Sequence, residues 1–205
     1  MAISVGLIAC SNGLGHVRRL VLIANNLSEY GASVTLFAPK VSVERILVAL
    51  QIEINFVFID FDTQTSADLL RIGNYQSLFW EKRLPNLSNF DVVISDNLPE
   101  ILAIRPDAWL SGNFFWHEAL QDISPQYRMR ATQLIRSNRP NMLTYVPFSS
   151  ILETSNLKLH ECIMPGSGRK LPKKKRDSLL ITSGTGGEIT PSYKRFVDSL
   201  AHQGK

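Results

Sequence analysis

A chain of 205 residues with 44% hydrophobic side chains suits one large domain, or one domain plus a fragment of a second, with ample material for a core, while two cysteines, Cys10 and Cys162, are too few for a disulfide framework. The net charge of +4 argues less for nucleic acid than it suggests: Arg169, Lys170, Lys173, Lys174, Lys175 and Arg176 form one acid-free run, and setting these six aside leaves the rest of the +4 chain at −2. No stretch is long and apolar enough to span a membrane, and no basic n-region precedes the first apolar run, so a cytoplasmic, reducing setting without nucleic acid is expected.

The first apolar run, Ile3 to Ala9, reads as a short buried strand. The stretch Ser11-Asn12-Gly13-Leu14-Gly15-His16-Val17-Arg18-Arg19 follows, and then a helical pattern with Leu20, Ile23, Ala24 and Leu27 on one face. Ser33 to Ala38 is a second strand stopped by Pro39, Val43 to Leu50 a short amphipathic helix, and Ile54 to Ile59 a third strand. Between Asp62 and Pro85 the pattern gives two helical pieces broken near Gly73, with Leu69, Leu70, Leu78, Phe79 and Trp80 facing inward. Asp91 to Asp96 is the clearest internal strand, a β-branched run ending in polar groups. A short helix over Pro99–Ile104, a strand over Ala108–Gly112, a helix over Gln126–Ser137 and a sixth strand over Met142–Tyr145 complete the series.

This alternation predicts an α/β fold: a Rossmann-like parallel sheet with helices on both faces, over residues 1–164. Pro165 to Arg176 is a break in composition, and residues 165–177 read as a basic linker. Beyond it a strand at Leu179–Thr182, a glycine loop at Ser183–Glu188 and a helix at Pro191–Gln203 make one strand–loop–helix unit. Residues 178–205 are therefore expected to begin a second, incomplete Rossmann-like domain.

A strand, a glycine-rich turn and a helix together set free backbone N–H groups and a positive helix end beside an anion. Gly13 and Gly15 let the backbone turn sharply and come close to a ligand, and His16 stands at the mouth of the helix, where an imidazole can take a proton from a hydroxyl or water. The bland account is a plain strand-to-helix turn with a surface histidine. A nicotinamide site is disfavoured, because Arg18 holds the third glycine position of a dinucleotide fingerprint and the second strand ends Phe37-Ala38-Pro39-Lys40 without an acid for a ribose. Neither glycine loop carries Gly-Lys-Ser/Thr, which excludes a P-loop.

Gly-Leu-Gly-His-Val-Arg-Arg after a first strand resembles the N-terminal signature of two-domain GT-B glycosyltransferases, closest to their lipid-intermediate and related nucleotide-sugar branches. It is also similar to the Gly-x-Gly-His-x-x-Arg of GT-B-like nucleotide-sugar hydrolases. Asp91–Asp96 resembles the strand before the interdomain cleft of that group, Gly112-Asn113-Phe114-Phe115-Trp116 the loop after its next strand, and Leu180–Gly187 the first strand and loop of its C-terminal domain. The resemblance implies a cleft whose N-domain shapes the acceptor side, with Ser183, Gly184, Thr185, Gly186 and Gly187 approaching the diphosphate of a nucleotide-sugar donor. Most of the C-domain, with the usual nucleotide contacts, is not in this sequence, which leaves a truncated gene product, an engineered fragment or one subunit of a split enzyme whose other chain carries that domain. No cofactor beyond the donor substrate is implied, and no essential metal.

The resemblance makes His16 the candidate general base. Asp96, at the ligand edge of a buried strand, is a partner that orients His16 or a sugar hydroxyl; capping of the turn at Asn97–Pro99 is the alternative. Asn12, Gly13, Gly15 and Arg18 are candidate substrate contacts, and Arg18 and Arg19 suit phosphate or carboxylate. Asn113, Phe115 and His117, with Phe114 and Trp116, offer an aromatic platform beside an amide for sugar or base, with at least two of these aromatics assigned to the core. Relatives often have an acid where His117 stands, so no catalytic role is assigned there. Glu100 reads as a first-turn acid that complements a helix dipole, Cys10 as a buried structural thiol, and His160 and His202 as structural or solvated. No histidine or cysteine pair has metal-ligand spacing. Leu171–Arg176 resembles a nuclear import signal but reads as a solvated linker, with peripheral contact to anionic lipid as a lesser option.

Three functions follow from this reading. The first is transfer of a sugar from a nucleotide-sugar to an unknown acceptor. The second is nucleotide-sugar hydrolysis with His16 activating water. The third is a non-catalytic acceptor-binding half that pairs with a separate donor-binding domain.

Overall fold

The computed structural model describes residues 2–75, 79–145, 149–152 and 156–161. Seven strands alternate with helices: β1 (Ser4–Ile8), α1 (Leu14–Glu29), β2 (Ser33–Ala38), α2 (Lys40–Leu50), β3 (Val57–Asp60), β4 (Val92–Asp96), β5 (Trp109–Ser111), α3 (Trp116–Ala119), α4 (Pro125–Asn138), β6 (Asn141–Thr144) and β7 (Lys158–Glu161). The strands form one sheet in the order β3-β2-β1-β4-β5-β6-β7, with every pairing parallel. All seven carboxyl ends therefore emerge on the same edge. The order reverses between β1 and β4, the switch point at which open α/β sheets leave a crevice for ligands. The α/β, Rossmann-like expectation holds.

Strand alternation sorts the core into two layers. Val5, Leu7, Val34, Leu36 and Ile94 point to one face, where Val17, Leu20, Val21 and Ala24 of α1 and Val43 and Ile46 of α2 cover them. Ile8, Phe37, Val93, Leu110 and Met142 point to the other, against Ile101, Leu102 and Ile135. Helix α1 forms because its apolar residues recur every three or four positions, and it stops at Tyr30 and Gly31, the latter at φ 86°. Pro39 ends β2 and caps α2, so that helix starts three residues earlier than its apolar pattern suggests.

The structure departs from the sequence reading in four places. Among the described residues from 62 to 90 the helical pieces are single 3₁₀ turns, at Asp68–Leu70, Trp80–Arg83 and Leu87–Asn89, because the apolar residues are too scattered to stripe a helix. Phe79 points outward and not inward: it is 41% exposed, while its neighbour Trp80 is buried. Pro99–Ala103 is a 3₁₀ turn. Strand β7, of sequence Lys-Leu-His-Glu and exposed along its length, carries no apolar alternation and was not expected. It pairs with β6 in parallel, and His160 stacks on Trp109 of β5 at 4.9 Å, its Nε2 2.9 Å from Asn141 Oδ1. His160 is thus a structural histidine.

Among the described residues no helix is long and apolar enough to cross a membrane. The expected linker at 165–177 and second-domain unit at 178–205 lie outside the described residues, as do Leu78, Cys162, His202 and the loop Ser183–Gly187.

Candidate active site

The loop between β1 and α1 is built by a glycine and two hydroxyls. Gly13 takes φ 103°, a region L-residues rarely adopt, and its N–H closes a tight turn onto the Ser11 carbonyl at 2.9 Å. Ser11 N–H donates to Thr63 Oγ1 at 3.1 Å and Thr63 N–H donates back to Ser11 Oγ at 2.9 Å, which ties the loop to the segment after β3. No side chain caps α1 and no acid sits in its first turn, so its N-terminal N–H groups and positive dipole end are uncompensated. A Cβ built on Gly15 meets nothing within 4 Å, so this turn faces open space.

This turn delivers His16 to the switch point, where β4 delivers Asp96. The imidazole Nδ1 lies 2.7 Å from Asp96 Oδ1, with His16 7% exposed and Asp96 fully buried. A carboxylate can only accept, so Nδ1 carries a proton, and in the neutral imidazole Nε2 is then the nitrogen with the free lone pair. The other carboxylate oxygen is held as firmly: Ser111 Oγ donates to Asp96 Oδ2 at 2.8 Å, and Arg19 Nη1 stands 3.2 Å from the same atom. Arg19 is an ion-pair partner without hydrogen-bond alignment. Phe114 and Trp116 flank the imidazole with ring centroids at 6.3 and 6.0 Å, and pack edge-on against each other at 4.9 Å. The result is a buried acid that fixes one histidine nitrogen and leaves the other available as a base.

The other candidates divide. Asn12, Gly13, Gly15 and Arg18 lie on the same loop and first helical turn, and Arg18 makes no ion pair with a described residue. Asn113 is half-buried, but its Oδ1 accepts from Tyr145 N–H at 3.1 Å and from Thr144 Oγ1 at 3.3 Å, so its side chain fastens the end of β6. Phe115 is fully buried in the core and offers a ligand no surface; the aromatics beside His16 are Phe114 and Trp116. His117 is 4% exposed and stacks on Phe115. Cys10 is buried at the end of β1, and desolvation pushes its thiol up to about 12, far from a working nucleophile. Among the described residues no group of three His, Cys, Asp or Glu side chains is placed to hold a metal.

Sequence reasoning missed Ser111 and Thr63, and did not foresee that Arg19 would turn inward to Asp96. Only Ser111 left a trace, as a polar residue ending a strand at the ligand edge. A groove of ≈590 Å³ lies elsewhere, between the end of α1 and the β4–β5–β6 face; its lining includes Leu27, Val92, Ile94, Trp109 and Leu143 and no charged side chain, so it offers packing surface without chemistry.

Glu100 keeps the first-turn place expected of it, but it is buried. It is 5% exposed, and burial, with the Glu81 charge adding, pushes its carboxyl up to about 7. At pH 4 the group is neutral in both folded and unfolded chains and costs nothing. As pH rises from its ordinary 4.5 to about 7 only the unfolded chain releases the proton, so stability falls across that window by about 3 kcal/mol. Glu100→Gln is expected to flatten this slope and to be the more stable protein at pH 8, read from urea midpoints between pH 5 and 8. Asp91 and Asp107, held below the ordinary carboxyl range by hydrogen bonds from Ser4 and Arg105 respectively, act at more acid pH and leave the window clear.

No protein-family model matches the sequence, and no curated protein matches it at a significant level. Among solved structures the chain is similar to LpCGTa in complex with UDP, with 13% identity and a TM-score of 0.43 over 71% of this chain and 46% of that one. It is also similar to Arabidopsis thaliana UGT89C1 complexed with UDP-L-rhamnose, with 12% identity and a TM-score of 0.45 over 70% of this chain and 45% of that one. The chain spans less than half the length of these structures.

Proposed function

We propose that this chain is the N-terminal, acceptor-side half of a GT-B-type glycosyltransferase, with His16 as the general base. The observation that carries the reading is the 2.7 Å bond from His16 Nδ1 to the buried Asp96 carboxylate at the switch point of the sheet. In this mechanism His16 Nε2 takes the proton of an acceptor hydroxyl as its oxygen attacks the anomeric carbon. The bond from that carbon to the diphosphate oxygen breaks, its electron pair leaves with the nucleotide, and the anomeric configuration inverts. Asp96 holds the imidazole in the required tautomer and stabilises the imidazolium formed. The uncapped start of α1 supplies N–H donors and dipole to developing negative charge, and the sequence offers Ser183–Gly187 for the leaving diphosphate. The same proton transfer acting on water gives nucleotide-sugar hydrolysis.

The test is a panel of nucleotide-sugars, UDP-L-rhamnose among them, incubated with the protein with and without hydroxyl acceptors, and read by product analysis. Glycoside formed only with acceptor supports transfer. Free sugar released at equal rate without acceptor replaces transfer with hydrolysis. Binding of an acceptor with no turnover of any donor, even when a donor-domain partner is supplied, reduces the chain to a binding module.

A further inference from the structure

A second polar cluster lies apart from the His16–Asp96 pair and has no part in the proposed transfer. It brings together Trp80 and Glu81 from the 80–83 turn, Glu100 from the turn after β4, and Tyr127 and Arg130 from α4. Glu81 is buried and pairs with Arg130. Beside that pair is a cavity of ≈20 Å³ lined by Thr65, Leu70, Tyr75, Trp80, Glu100 and Arg130, among others. Two of these side chains, Trp80 at 2% and Glu100 at 5% exposure, carry buried polar atoms without a hydrogen-bond partner: Trp80 Nε1 and Glu100 Oε2.

We propose that this cavity is a binding site for one neutral hydroxyl group, from a water molecule or a small alcohol, held between Trp80 Nε1 and Glu100 Oε2. The donor inventory selects the guest. An indole N–H only donates, and a carboxylate oxygen only accepts, so the guest must accept from one and donate to the other. A hydroxyl does both. A cation meets the Arg130 guanidinium and an indole N–H that it cannot accept from; an anion meets Glu100 and Glu81. Burial raises the Glu100 carboxyl, which faces Arg130 and Tyr127 of α4 and Glu81 of the 80–83 turn, to about 7, so both of its forms are present near neutral pH; the ionised form accepts from the guest, the protonated form can also donate to it, and a hydroxyl suits either. The volume is sufficient for one water, which needs roughly 10–15 Å³ by this measure.

A larger alcohol could enter past Phe79. Phe79 lines the outer side of the cavity, is 41% exposed, and sits at φ 43°, a strained value for a bulky residue. Its ring lies under Lys82 Nζ at 4.3 Å and Arg130 Cζ at 5.0 Å, exposed cation–π contacts that swing away at small cost.

The experiment is a high-resolution crystal structure of the whole chain, from aqueous crystals and from crystals soaked in methanol. One solvent peak within hydrogen-bond distance of both atoms is expected in the first; elongated density with Phe79 displaced in the second identifies an alcohol site, and an unchanged peak a water site. A dry cavity, or Trp80 Nε1 bonded directly to protein, overturns the proposal. In solution, the indole N–H signal that disappears in Trp80→Phe is expected to show a cross-peak to bound water or methanol. Glu100→Gln should keep that cross-peak and Glu100→Leu lose it, while absence of any cross-peak in the unmodified chain is also fatal.

Discussion

Replacing His16 by alanine is expected to lower turnover by about 10²–10⁴-fold, the usual contribution of a positioned general base, with KM changed little. In the proposed mechanism the imidazole takes the proton that moves and does not anchor the donor, so its loss would raise the barrier more than it weakens binding. His16→Gln keeps a polar group of similar reach but no base, and should fall as far as alanine. The measurement is steady-state release of nucleoside diphosphate from the donor found active in the panel, with thermal unfolding alongside to show the variants fold. Wild-type turnover in a folded His16→Ala protein removes the base from the mechanism.

Asp96 carries the second large effect, and two substitutions separate its two duties. Two donors, His16 Nδ1–H and Ser111 Oγ–H, and one ion-pair partner, the Arg19 guanidinium, converge on its carboxylate. Asp96→Ala strands a largely buried arginine and two hydrogen-bonding partners at once, and is expected to cost about 3 kcal/mol of stability, seen in the urea midpoint. Asp96→Asn keeps the shape, and the Ser111 hydroxyl can rotate to accept from the new amide. What it loses is the negative charge that supports the imidazolium. Turnover in Asp96→Asn is therefore expected to fall about 10²-fold or more with a much smaller change in unfolding. Turnover falling only in proportion to the unfolded fraction would show that Asp96 is structural alone.

The sheet was legible because its central strands are dense in β-branched and aliphatic residues and punctuated by glycine and proline. Val92–Asp96 and Ser33–Ala38 could hardly be read otherwise. Strand β7 was not legible, since an exposed edge strand needs no buried face and Lys158–Glu161 has none. The segment around Phe79 and Trp80 misled for a related reason: adjacent aromatics in a 3₁₀ turn point in different directions, and local sequence does not say which goes inward. At the site, His16 was visible as the histidine at the helix mouth after the glycine turn, and Asp96 as a polar residue at the carboxyl end of a strand. Their bond spans 80 positions in the chain and was visible only as one option beside a turn cap. Ser111 and Thr63 look like ordinary strand-end and loop hydroxyls until the sheet order sets them beside Asp96 and Ser11. Phe115 went the other way. Within Asn113-Phe114-Phe115-Trp116 the chain sends alternate rings to opposite sides, and periodicity over four residues does not fix the phase.

The strand order has a consequence for how the proposed activity would be lost on heating. β1 and β4 are flanked on both sides by other strands, while β3 and β7 are the outermost strands of the sheet among the described residues. Backbone amides in β1 and β4 should thus be the slowest to exchange with deuterated solvent, opening only when the whole domain does, whereas β7 frays early. Asp96 ends β4, and His16 follows β1 through the tight turn at Ser11–Gly13 on the first turn of α1. Partial melting at the sheet's rim leaves the pair assembled, so catalytic inactivation should track global unfolding and not precede it.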